Sequence, residues 1–172
     1  MEISIIILCL ILSAFFSGME IAFVSSNKIY LEIEKKQDNF VSKILTKLTE
    51  KPTNFIVTML IGNTIAMVVY GFFMGELLLR WFAVLEYHFS DGFNLMLQIL
   101  VSTLVILITA EFLPKVFFQI YANSLIKIFA VPAYFFYKFF YFISTFFIGI
   151  SDFILKKFFK TEGDTIQLYF SR

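Results

Sequence analysis

Three long apolar runs follow one another along the chain, and a fourth, rich in Phe and Tyr, comes after them. The first extends from Ile3 to about Ser26, with Ser4, Ser13, Ser17 and Glu20 as its polar interruptions. The second covers about Phe55 to Phe82 and holds Gly62, Asn63, Gly71, Gly75 and Glu76. The third runs from about Asn94 to Phe112, with Pro114 and Lys115 just beyond. A helix needs about 20 apolar residues to cross the hydrocarbon core. The pattern therefore predicts spans at about 3–26, 55–82 and 94–115. The charged stretch from Lys28 to Lys51 places Ile29, Ile33, Phe40, Ile44 and Leu48 at spacings expected of short amphipathic helices lying at an interface. Pro52 marks the start of a new helix, with Thr53 or Asn54 available to cap it. The fourth run, Phe129 to Leu155, contains Pro132, Lys138 and Asp152. Its length favours a span, and its charges favour an amphipathic belt.

Charge favours the belt without settling it. Of 14 Lys and Arg residues, six fall in 28–51, Arg80 alone flanks the loop at 83–93, and seven lie from Lys115 onward. Cytoplasmic segments carry the excess of Lys and Arg. The expected topology has three spans, an exterior N-terminus and a cytoplasmic C-terminus, with 28–50 and 118–158 as juxtamembrane belt helices. The first run has Glu2 where a signal peptide would be basic, and no small-x-small cleavage site follows it, so it reads as a retained span. The polar segment 161–172 reads as a linker toward a soluble module.

Composition agrees with membrane residence. Apolar residues make up 59% of the chain and charged residues 16%, against about a quarter in soluble domains. Mean hydropathy is +0.84. A net charge of +1 gives no pull toward nucleic acid. One cysteine, Cys9, and one histidine, His88, preclude an internal disulfide and a zinc cluster. No Ser/His pair or paired aspartates lie within the spans, so an enzyme is not expected.

Polar groups inside spans are costly and tend to face a cavity or another helix. Ser13, Ser17 and Glu20 share a helical face at i, i+4 and i+7, with Gly18 among them. Gly62, Asn63 and Thr64 form a polar notch in the second span. In the third, Thr109 and Glu111 precede Pro114, which has no N–H for the carbonyl of Ala110. At 1.5 Å per residue, Ser17 lies roughly 12 Å from its cytosolic end, Asn63 roughly 15 Å and Glu111 roughly 6 Å. The three come from separate helices yet occupy the cytosolic half. Hydroxyl, carboxamide, carboxylate and carbonyl oxygens suit Mg²⁺, Ca²⁺ or Na⁺ rather than zinc or copper. Other groups have plainer readings. Ser13 is expected to bond its own helix backbone or a neighbouring helix, Asn63 can act as interhelical glue, and Glu20 can pair with a lysine such as Lys115. Glu76 and Arg80 are spaced as an ion pair, Gly71 and Gly75 as a packing motif, and 134–147 as lipid-facing aromatics.

Three motifs carry a family resemblance. FFSGMEIAFVSSNKIYLE at 15–32, KPTNFIVTMLIGN at 51–63 and TLVILITAEFLPKVFFQIYAN at 103–123 resemble, in order and spacing, the transmembrane domain of CorC/cyclin-M (CNNM) magnesium transporters. The resemblance covers about 1–160. It implies an all-α homodimer in the cell membrane, three spans per subunit with a juxtamembrane belt, and paired cytosolic CBS modules after the linker at 161–172. It also implies Mg²⁺ efflux, with Na⁺ exchange as the proposed driving force, through a site made by Ser17, Asn63 and Glu111. Gly18, Glu20, Gly62, Ala110, Pro114 and Lys115 are the neighbours that could assist. Met19, Thr64 and Ala110 depart from the family pattern and remove potential ligands. The alternative role is a non-transporting membrane anchor and dimerisation platform for the cytosolic modules.

Overall fold

The computed structural model describes residues 2–84 and 91–159. His88 and the linker at 161–172 lie outside them. The described residues form α1 (Glu2–Ser25), α2 (Lys28–Lys35), α3 (Phe40–Glu50), α4 (Pro52–Val84) and α5 (Asp91–Ile106). A π-helix (Leu107–Phe112) then leads into α6 (Leu113–Ile120), α7 (Ala122–Ile128) and α8 (Ala130–Phe159). Four segments are long and apolar enough to cross a membrane: Glu2–Ser25, Pro52–Ala83, Gly92–Ile120 and Ala130–Ile154. The first three correspond to the expected spans. The fourth belongs to the region expected as belt.

The spine of the fold is the pair α1 and α4, which run antiparallel. Phe23 meets Phe55 at one end, with ring centroids 4.6 Å apart. Ser13 meets Asn63 in the middle. Arg80 reaches Glu2 at the other end, at 2.9 Å. From Phe23 to Glu2 is roughly 32 Å of helix, which matches a hydrocarbon core of about 30 Å. Arg80 also lies 3.9 Å from Glu76, so the expected i, i+4 pair is present but Glu2 is the nearer partner.

At the Pro52 end the chain builds a compact core. Phe16, Met19 and Ala22 of α1 pack with Leu45 and Leu48 of α3, Phe55 and Met59 of α4, and residues of α6 to α8. Asn27 caps α2 by accepting from the Ile29 and Tyr30 amides, and Asn39 caps α3 by accepting from that of Ser42. The expected cap of α4 is not formed by Thr53 or Asn54. The Phe55 amide bonds the Lys51 carbonyl, and Asn54 reaches across to Thr145. The amphipathic pattern of α3 is borne out at Ile44 and Leu48, which are buried. Ile29, Ile33 and Phe40 are exposed, as an apolar face at an interface would be, while α2 turns Leu31 and Glu34 inward. Glu34 is neutralised there by Lys127 of α7, and that carboxylate, foremost through its hydrogen bond, holds the Lys127 ammonium above the usual lysine range.

Helix α8 starts with Pro132 in its first turn, where a proline costs no helical hydrogen bond, so the helix is unbroken. Phe129, Phe136 and Phe140 all meet the adjacent pair Phe15 and Phe16 of α1, at centroid distances of 4.8 to 6.4 Å. Of these, Phe129 precedes α8, and beyond Phe136 and Phe140 the helix packs chiefly on α4. Tyr137 and Phe140 are buried in the core, whereas Phe135, Phe139, Phe142, Phe146 and Phe147 are exposed.

Two glycines set the helix spacing. A Cβ on Gly62 would sit 2.7 Å from the ring of Phe16, and one on Gly18 would sit 2.6 Å from that of Phe118. Gly71 has nothing within 4 Å, so of the expected Gly71/Gly75 motif only Gly75 faces a neighbour, Gln98 of α5. Gly62→Ala is expected to destabilise the domain by about 1–3 kcal/mol through overpacking. Gly71→Ala is the control and should leave the melting temperature in detergent unchanged or raised. Combining Gly62→Ala with Phe16→Leu should recover part of the loss. Equal melting temperatures for the two single variants would rule out a close α1–α4 approach as the limiting feature.

Candidate functional site

The interhelical seam carries a short ladder of oxygen groups. At its centre Ser13 donates to the carboxamide oxygen of Asn63 at 2.6 Å, with both side chains buried. The Asn63 amide nitrogen lies 3.9 Å from the Met67 sulfur. Ser13 is eleven residues from Glu2 and ten from Phe23, so this contact lies about midway between the ends of the pair. One turn nearer the Pro52 end comes Ser17. It is fully buried, and its hydroxyl has no hydrogen-bond partner.

A further turn on, Glu20 is half-buried and lies within electrostatic reach of Lys115 and Glu111. All three are half-buried, and two carboxylates against one ammonium leave the group anionic. Glu111 stands on the π-helix, whose Ala110 is fully buried. The Leu113 amide bonds the Ile108 carbonyl, five residues back. Pro114, next in line, has no N–H to offer. In this register the missing donor falls to Thr109, one residue earlier than the Ala110 carbonyl expected from α-helical pairing. The π-bulge widens the helix by one residue at Glu111, and such bulges recur at functional sites.

The three residues expected to form the site therefore differ in setting. Asn63 is anchored by Ser13, Ser17 is unpartnered beside that bond, and Glu111 connects to α1 at the level of Glu20. Of the two partners open to Ser13, its own helix backbone or a neighbouring helix, it takes the neighbouring helix; its place on the Ser17/Glu20 face was the sequence signal. Gly18 and Gly62 act as contact points for Phe118 and Phe16. Among the described residues, no three His, Cys, Asp or Glu side chains come together as a metal cluster. Any cation here would rely on hydroxyl and carboxamide oxygens with one or two carboxylates.

Fold and seam together define a polytopic helical membrane domain with a line of hard oxygen donors between its helices. The chain belongs to the CNNM family: the family model described as Cyclin M transmembrane N-terminal domain matches residues 4–169. It is similar to a UPF0053 protein of Synechocystis sp., 37% identical over 71 residues, which is 41% of this chain and 16% of that protein. It is also similar to a UPF0053 protein of Haemophilus influenzae, 43% identical over 61 residues, or 36% of this chain and 14% of that one. The matched segments thus span less than a fifth of either relative. The family is the one the three motifs resemble.

Ser13 and Ser17 are chemically alike but differ in pairing, which makes them separable. Ser13→Ala strands the buried Asn63 oxygen and is expected to cost about 1–3 kcal/mol. Ser17→Ala removes a hydroxyl that bonds nothing and should be neutral or slightly stabilising. Melting temperatures of the two variants in the same detergent check this, and the reverse order would contradict the pairing.

Proposed function

We propose that this domain moves Mg²⁺ from the cytosol outward, with a Na⁺ gradient as the driving force, through a site between α1, α4 and the π-helix. The observation that carries the reading is the buried Ser17 hydroxyl without a partner. Buried polar groups in native proteins are nearly always bonded, and each exception calls for an explanation. Two such exceptions occur among the described residues, the Gln98 Oε1 atom of α5 and the Ser17 hydroxyl, and the latter lies between the Ser13–Asn63 contact and the anionic Glu20/Glu111 level, on the face where an ion would pass. In this reading Glu20 and Glu111 attract the cation at the mouth, and Lys115 offsets part of their charge. Ser17, Asn63 and Glu111 then replace part of the hydration shell. The Asn63 oxygen has two lone pairs. One accepts from Ser13, and the other remains for the ion. Magnesium keeps several waters, so a sparse protein shell is compatible with it.

The same reading takes α8 as a belt, leaving three spans, an exterior N-terminus and a cytoplasmic C-terminus. Support comes from Lys47 and Lys51 of the charged 28–51 stretch, which lie over the rings of Tyr134 and Tyr141. A homodimer is part of the proposal, since no side chain of 92–106 is buried within one subunit. A second reading, a membrane anchor and dimerisation platform for CBS-type modules, draws on Asn63 being already bonded to α1 as interhelical glue.

Magnesium loss from loaded cells distinguishes the two. Glu111→Ala in the full-length protein should abolish export while leaving membrane insertion intact. Equal export by variant and wild type would remove Glu111 from the mechanism. For topology, Lys157→Cys in a Cys9→Ala background should be protected from an impermeant maleimide in intact cells and react after lysis. Labelling in intact cells would put α8 across the membrane.

A further inference from the structure

A cleft opens where the end of α1 meets α2 and the first turn of α4. Its volume is about 190 Å³. Phe23, Val24 and Pro52 form an apolar wall, and Lys28, Glu32 and Lys35 form a charged one. Lys28 and Lys35 are seven residues apart, two turns along one face of α2. Two hydroxyls also line the cleft, but their protons are committed. Ser26 donates to the Phe23 carbonyl at 2.9 Å, and Thr49 to that of Leu45 at 2.8 Å. Recognition by this wall therefore runs through ammonium groups, which favour an anion.

The cleft's position narrows the ligand. Helix α1 ends at Ser25 and α4 begins at Pro52, so the cleft lies at the boundary of the membrane core, the depth of lipid phosphates. An apolar wall facing a cationic one suits an amphiphile with an anionic head. Beside it Val24 is 53% exposed, and on α2 Ile29 is 71% and Ile33 59% exposed. That apolar surface has no cover within the described residues, and acyl chains supply one. Lysines near a membrane surface attract anionic lipids.

We propose that this cleft binds the phosphate headgroup of an anionic phospholipid. Lys28 and Lys35 take the phosphate, and Phe23, Val24 and Pro52 take the glycerol end of the acyl chains. Glu32 opposes binding. Its carboxylate holds Lys35 at 2.6 Å, and that hydrogen bond keeps the Glu32 carboxyl below the usual range, so it stays charged. Glu32 is 65% exposed at its side chain and is displaced from Lys35 when phosphate arrives. The inference needs only a membrane around α1 and α4. It depends neither on the transported ion nor on which face is cytosolic.

The test is native mass spectrometry of the 172-residue chain released from detergent with equal phosphatidylglycerol and phosphatidylcholine. The wild type should retain phosphatidylglycerol in preference. Lys28→Gln and Lys35→Gln should each weaken that preference about fivefold, and the double variant should abolish it. Glu32→Gln removes the opposing carboxylate and should strengthen retention. This rise cannot come from misfolding, so it keeps the test decisive if the double variant folds poorly. No preference in the wild type, an unchanged double variant, or weaker retention by Glu32→Gln would each overturn the proposal. Complete displacement of phosphatidylglycerol by millimolar inorganic phosphate would assign the cleft to free phosphate and overturn the lipid assignment.

Discussion

A hydroxyl and a carboxamide placed in a membrane interior must bond to something within the protein, because lipid offers neither donor nor acceptor. The 2.6 Å contact between Ser13 and Asn63 meets that constraint and fixes the register of α1 against α4. With the centre pinned, Phe23 falls against Phe55 and Glu2 against Arg80 at the two ends. Close approach is then required, and Gly62 allows it by leaving room for the ring of Phe16. Apolar packing alone would not choose this register. Lipid tails are as apolar as Leu or Ile, so sliding by one turn costs little unless a polar pair is broken.

That register aligns the rest of the seam. Ser17 and Glu20 are carried on the same face of α1 as Ser13, so pinning one orients all three. Opposite the lower part of this face stands the π-helix. A proline at 114 ends regular pairing in the preceding turn, and the bulge absorbs the irregularity. Glu111 gains an altered direction from this, and its neighbourhood with Glu20 and Lys115 follows. The electrostatic character of the mouth thus traces back to a backbone defect and one interhelical hydrogen bond.

The elements were legible to different degrees. Apolar run lengths gave α1, α4 and the α5–α6 segment to within a few residues, since hydrophobicity over 20 residues is a strong signal. Asn63 and Glu111 stood out because amides and carboxylates are rare in spans. The partner of Asn63 did not, because a serine can bond its own helix as easily as another, and only the packed register decides. The burial of Glu34 on α2 was not legible, since it is made tolerable by Lys127, some ninety residues away in sequence. Long-range charge pairing leaves no local pattern to read. Helix α8 remained ambiguous for a similar reason. Length and hydropathy describe a helix, not its angle to the membrane, and its contacts with α1 and α4 come from residues far apart in sequence.

The division of labour between the two serines bears on how such a seam can work. If every oxygen in it were bonded within the protein, an entering cation would have to break those bonds as well as shed water. If none were bonded, the fold would carry several stranded dipoles in a low-dielectric interior, each costing about 1–3 kcal/mol. Here Ser13 and Asn63 satisfy each other and hold the helices together, and on this face of α1 Ser17 is left unpaired. Within the α1–α4 seam the energetic burden falls on one hydroxyl, a small polar group. It lies one turn from Glu20 and the Glu111 level, where a cation's charge is already favoured. Stability and readiness for an ion are thereby assigned to different residues of the same helical face.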